Sequence, residues 1–226
     1  MNIVVGSIFR DSEAYIQRYY DQIEALKAAA PQHSVRCILA EGDSVDGSHE
    51  KLKALFDGQV FKRAHGGPKF GSVCDPVRHR QMSYVYEGVL ERVKPADDIF
   101  VYVESDLIWH PTAILQLMER LKEPGVDISC PFIWYQNRFY DSWGYVGVDG
   151  VHFGFYFPFH MELLNPTPNG LYPLSSAGSC LVMKAEVARK CHFEPPEICV
   201  AGFMQDAVKT GYKLWMDPNI GVRHPA

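Results

Sequence analysis

The chain has 226 residues, of which 47% are hydrophobic, and a formal net charge of −5. That length suits one α/β domain with a substantial core, and the composition excludes a disordered chain. The acidic balance excludes a global basic field for nucleic acid, and no run approaches the ~20 apolar residues of a membrane-spanning helix.

Residues 2–8 read as a first strand, without the basic start or small-residue cleavage site of a signal peptide. Asp11 or Ser12 is placed to cap a helix with Tyr15, Tyr19, Ile23, Leu26 and Ala30 on one apolar face, stopped at Pro31. Residues 34–40 predict a second strand, followed by the polar turn Glu41–Gly47. Ser48 caps a short helix ending near Phe56, and residues 59–62 suit a short strand. After a Gly- and Pro-containing loop over 63–76, a helix is expected from Val77 to Val93, then a strand over 99–103. Pro111 suits the first turn of a helix running to Lys122, and residues 127–131 read as another strand. From Phe132 to Ser176 aromatic residues, Gly and Pro dominate and neither period holds, which predicts hairpins and loops over one end of the sheet. A strand over 179–183, a short helix after Lys184, a helix over 202–210 ended by Gly211, and a strand over 213–216 complete the chain. The alternation of strands and helices predicts an α/β fold in a single domain over residues 1–226. The six cysteines form no CxxC pair, and Cys37, Cys130 and Cys180 lie in apolar strand-like runs. They read as reduced core residues, consistent with a cytoplasmic setting.

The run Ile99–Val103 ends in Glu104–Ser105–Asp106. A continuous apolar run suits a strand buried on both faces, and its carboxyl end is where open α/β sheets bind ligands. Two carboxylates there repel unless a cation or proton intervenes, and Mg²⁺ and Mn²⁺ favour oxygen ligands that bridge to phosphate. Four further groups are candidates. Asp43 and Asp46 follow the second strand, where acids contact a ribose or simply make turns. Arg78 and Arg80 open a helix, facing either a diphosphate or solvent. Asp206 reads as a helix-start acid or as a general base. His224, near the end of the chain, is either solvated or closes a metal site begun at Asp106.

The order of these features resembles the family-2-like glycosyltransferases with the GT-A fold. Asp43–Ser48 is similar to the family's nucleotide-contacting turn, and Glu104–Ser105–Asp106 to its Asp-x-Asp metal motif. Ala177–Met183 resembles the strand before the acceptor-side helix, Gln205–Asp206 the Glu-Asp pair whose second acid is the base, and Gly211–His224 the closing segment with its metal-binding His. Glu104 and Gln205 stand where the family has Asp and Glu, so Asp106 is the firmer metal ligand. The run Glu104–Trp109 followed by Pro111 also resembles fungal Golgi-type α-mannosyltransferases, which retain anomeric configuration.

The resemblance implies a mostly parallel, Rossmann-like sheet, with residues 1–131 binding a nucleotide-diphosphate sugar and 132–226 binding the acceptor. It implies Mn²⁺ or Mg²⁺ held by Asp106 and His224 with Glu104 beside them. Asp43, Asp46, Arg78, Arg80 and Glu104 would contact the donor, and Asp206 would deprotonate the acceptor hydroxyl in an inverting transfer. Trp134, Tyr135 and Trp143 are acceptor-stacking candidates. The acceptor is a glycan, a protein, a small molecule or a modified DNA base. The rivals are a retaining enzyme, a nucleotidyltransferase and a non-catalytic nucleotide-sugar-binding module. Gly6–Asp11 is a poor match for the nucleotidyltransferase phosphate loop.

Overall fold

A computed structural model of the chain describes residues 1–71, 75–136, 138–142, 144–152, 170–193 and 199–225. β1 (Asn2–Phe9) and β2 (Ser34–Glu41) pair in parallel from Asn2↔Ser34 to Phe9↔Glu41. β3 (Val60–Lys62) extends this edge, and β4 (Ile99–Val103) lies on the other side of β1, also parallel. β9 (Cys180–Lys184) runs antiparallel between β4 and β5 (Ile128–Tyr135). β10 (Leu214–Arg223) is parallel to β5, and β8 (Tyr172–Ser176) and β7 (Val146–Gly147) close the far edge. β6 (Arg138–Phe139) forms a hairpin with β5. All ten strands join one mixed, mostly parallel sheet in which β9 lies between β4 and β5.

Helices cover both faces. α1 (Glu13–Ala29) contacts α2 (Ser48–Leu55) and α4 (Pro111–Arg120), while α3 (Pro76–Leu90) contacts β1, β2 and α6 (Cys199–Lys209). α5 (Ala185–Lys190) packs by β9 and β4. Consecutive residues of β1 show the division. Ser7 Oγ lies 2.6 Å from Tyr19 Oη on α1, whereas a Cβ at Gly6 would meet Val89 of α3 and Phe100 at 2.6 Å. Gly6 therefore permits the close approach of α3. All five residues of β4 are buried, as its apolar run predicts.

Two strands are longer than their sequence signals. β5 continues past 131 to Tyr135, and β10 continues past 216 to Arg223. Pro218 and Gly221 weaken a regular strand, but β10 absorbs them in a register shift between Asp217 and Gly221. The two extensions pair with each other, Gly221↔Phe132 through Arg223↔Trp134. α6 starts at Cys199 rather than 202, which leaves Asp206 in the body of the helix. Trp143 and most of the aromatic stretch from Phe153 onward lie outside the described residues. Among the described residues, Cys37, Cys130, Cys180 and Cys191 are free thiols and buried.

Candidate functional site

At the carboxyl ends of β1 and β4 lies a cavity of about 470 Å³. Its lining includes Arg10, Asp11, Tyr15, His65, Lys69, Arg78, Tyr102, Glu104, Asp106, Tyr140 and His224. Glu104 and Asp106 reach it from a turn after β4 rather than from the strand itself. That turn is fixed by Glu104 N–H donating to Ser179 O (2.9 Å) and Leu107 N–H to Glu104 O (3.3 Å). Ile108 and Arg223 then exchange two backbone hydrogen bonds of 2.8 and 2.9 Å. This bridge, with His224 N–H donating to Trp134 O at 2.7 Å, carries the end of β10 to the acids.

The outcome is a contact between residues 118 positions apart in the chain: His224 Nε2 lies 3.3 Å from Asp106 Oδ2. Burial pulls the imidazole toward neutrality, but Asp106 and the Pro225 carbonyl outweigh it and raise its pKa above the usual value. Tyr140 stacks on the ring at 3.8 Å with a 17° interplanar angle. Glu104 is partly buried, and its pKa is pushed up to about 8 by dehydration and then by Asp106 and Asp141. Dehydration also raises Asp141, although Ser179 Oγ (2.9 Å) and Gly144 N–H (3.1 Å) donate to its carboxylate. Ser179 holds a left-handed backbone with φ of 57°, costly for a residue that is not glycine.

The acids that follow β2 are placed differently. Asp43 Oδ2 accepts from His65 and Gly66 N–H groups, both at 2.8 Å, and lies 3.3 Å from His65 Nδ1. Dehydration acts to raise Asp43, but these N–H groups win and hold it below the usual carboxylate range. Asp43 thus anchors the loop that brings His65 and Lys69 to the cavity, and is not itself a lining residue. Asp46 accepts from Glu13 N–H (3.2 Å) and Ser48 N–H (2.9 Å), tying the starts of α1 and α2 together. Asp11 does line the cavity; Lys69 Nζ at 2.6 Å is the main cause of its lowered pKa. Arg10 Nη1 donates to Pro68 O (3.1 Å) and sits 3.3 Å from His65 Nε2.

Arg78 lines the cavity, whereas Arg80 is exposed and does not. Trp134 is not a lining residue; its ring packs on Phe132 at 4.4 Å. Tyr135 is near but outside, with its ring 6.4 Å from that of His224. Asp206 is not brought to the cavity: its Oδ2 accepts from His192 N–H at 2.7 Å. Sequence reasoning missed Arg10, Asp11, His65, Lys69, Tyr140 and Asp141. Asp11 had a usable signal, since it follows an apolar strand as Glu104 does. Tyr140 and Asp141 carried none, because they sit in a stretch without periodicity.

The carboxylates offer the oxygen donors that Mg²⁺ and Mn²⁺ favour, and the imidazole adds a nitrogen donor suited to a transition metal such as Mn²⁺. Among the described residues, no cluster of three His, Cys, Asp or Glu side chains is arranged to hold a metal ion. Such cations are commonly held by one or two protein ligands completed by substrate phosphates, and the Asp106–His224 pair fits that pattern.

No protein-family model matches the chain, and no curated protein matches it. Solved structures do. A mannosyltransferase from Pyrobaculum calidifontis in complex with GDP-Man and Mn²⁺ matches with a TM-score of 0.62 and 14% identity, over 98% of this chain and 56% of that one. Glucosyl-3-phosphoglycerate synthase from Mycobacterium tuberculosis, in complex with Mn²⁺, UDP and phosphoglyceric acid, matches at 0.57 and 15%, over 100% and 71%. The 1–349 fragment of S. aureus TarS matches at 0.55 and 12%, over 99% and 60%. The chain has the GT-A fold. The chain spans little more than half the length of the mannosyltransferase. No helix among the described residues is long and apolar enough to cross a membrane.

Proposed function

We propose that this chain transfers a sugar from a nucleotide-diphosphate sugar to an acceptor hydroxyl, with Mn²⁺ or Mg²⁺ on the diphosphate. The observation that carries this reading is the 3.3 Å approach of His224 to Asp106 inside a cavity also lined by cations. Asp106 and His224 would hold the ion, with Glu104 beside them. When bound, the cation would neutralise charge growing on the departing nucleoside diphosphate. Arg10, Lys69 and Arg78 would face the remaining phosphate oxygens, where guanidinium and ammonium groups make charge-assisted hydrogen bonds. Asp43 would serve the nucleoside through the loop it anchors, and Asp46 through the helix starts it joins.

An inverting course needs a base at the acceptor hydroxyl. Asp206 would fill that role only after leaving the His192 amide. Among the described residues, the acids lining the cavity are Asp11, Glu104 and Asp106. In the retaining alternative the acceptor proton would instead pass to the departing diphosphate. Anomeric proton couplings in the product would separate the two courses.

The test of the reading is a thermal-shift screen of UDP and GDP with and without Mn²⁺, followed by hydrolysis assays on UDP-Glc and GDP-Man. A ligand at 100 times its Kd stabilises the native state by about 2.7 kcal/mol. A nucleoside diphosphate is expected to raise Tm only when Mn²⁺ is present. Absence of any such rise overturns the reading, and binding without turnover of any donor assigns a non-catalytic module instead.

A further inference from the structure

The turn that carries Asp106 is gripped from α1 by two polar side chains one helical turn apart, Arg18 and Gln22. Gln22 is only 8% exposed, and a buried amide is costly unless its polar atoms are paired. Both ends of Gln22 are committed to the turn. Its Nε2 donates to Leu107 O at 3.2 Å, and Trp109 N–H donates to its Oε1 at 3.1 Å. Arg18 Nη2 donates to Asp106 O at 2.6 Å, the carbonyl of the very residue whose carboxylate meets His224. The opposite flank of the turn is the Ile108–Arg223 bridge, next to His224. The turn is therefore held on one side by the strand that delivers the imidazole and on the other by α1.

We propose that Arg18 and Gln22 are positioning residues that set the Asp106 carboxylate for the cation and diphosphate, a role that rests on the glycosyl-transfer reading. The physical reason is that a carboxylate on a turn is aimed by its backbone. With the 106 and 107 carbonyls and the 109 amide fixed, Asp106 keeps its place without a partner ion. An apolar α1 face would pack equally well but would leave those three backbone groups without these partners. Groups that orient a metal ligand typically change metal affinity by 10- to 100-fold when removed.

The variants are Arg18→Met, Arg18→Lys, Gln22→Leu and Gln22→Glu. Mn²⁺ affinity is measured by electron paramagnetic resonance with UDP or GDP present, and amide exchange over 106–109 is measured without metal. Arg18→Met and Gln22→Leu are expected to weaken Mn²⁺ binding about 10- to 100-fold and to speed exchange at Trp109. Arg18→Lys keeps a donor for the Asp106 carbonyl and is expected to bind close to wild type. Gln22→Glu keeps the acceptor for Trp109 N–H but not the donor, and is read in place of Gln22→Leu if the latter does not fold. Wild-type Mn²⁺ affinity in folded Arg18→Met and Gln22→Leu, or unchanged exchange, overturns the proposal. So does Arg18→Lys losing as much as Arg18→Met. If wild-type protein binds no Mn²⁺ with either nucleotide, the glycosyl-transfer reading fails and the positioning role for a cation falls with it. The exchange data then separately decide whether α1 holds the turn.

Discussion

Asp11, Asp43 and Asp46, after β1 and β2, all have lowered pKa values, whereas Glu104 and Asp141, beside β4 and β9, are raised. Both groups lie toward the same carboxyl edge of the sheet. In the first, each carboxylate is met by backbone N–H groups or by Lys69. In the second, acids crowd one another, with Ser179, Gly144 N–H and His224 as counterweights. The first group is at electrostatic rest without a ligand. The second favours a proton or a cation; an imidazole meets a carboxylate in both groups, His65 at Asp43 and His224 at Asp106, each at 3.3 Å. Acid content in sequence therefore does not mark a metal site by itself; what decides is whether the fold has already supplied the partner.

The largest effect that would break this comparison is at Asp106. Asp106→Ala is expected to abolish Mn²⁺-dependent stabilisation by nucleoside diphosphate and to lower kcat/KM at least ~100-fold, the scale of losing one transition-state charge stabiliser. Thermal shift and donor hydrolysis check both, and retained Mn²⁺ dependence would move the cation elsewhere.

Asp43→Ala should act on stability instead. It leaves two N–H groups without their acceptor and puts alanine at a φ of 60°, so a loss of about 1–3 kcal/mol is expected in urea melts. Asp43→Asn tolerates the left-handed backbone, keeps one acceptor oxygen and should lose less. Equal losses would show that Asp43 acts by charge rather than by anchoring the loop.

A third test sharpens the contrast through pH. Glu104 rises from the ordinary 4.5 to about 8 in the fold, so the native state holds a proton that the unfolded chain has released between those values. Its contribution to stability is present at low pH and fades as pH rises through about 8. Asp11, Asp43 and Asp46 contribute in the opposite sense, their stabilisation being lost as pH falls through their lowered values. Glu104→Gln should flatten the decline of Tm with rising pH in metal-free protein. An unchanged slope would mean that Glu104 is not the group that is protonated.

Much of the fold was legible because burial imposes a pattern. The run at 99–103 is a buried strand, Pro111 opens a helix, and Tyr19, Ile23 and Leu26 line the buried face of α1. The Glu104–Asp106 pair was legible for the same reason, as charge placed where an apolar strand stops. Asp206 was not placed by local pattern: its helix begins earlier than the signals indicate, and its carboxylate meets the loop after α5. Arg18 and Gln22 were invisible, since polar residues on an amphipathic helix look solvated until another segment covers them.

By itself the sequence determined the alternation of strands and helices, the buried central strand and the two acids at its end, because hydrophobic periodicity and turn chemistry act over a few residues. Only the tertiary structure decided which acids are already satisfied and which are not. It also extended β10 through Pro218 by pairing it with β5, and so brought His224 to Asp106. Such pairings join residues far apart in the chain, and their hydrogen bonds leave no mark on the local pattern of either segment.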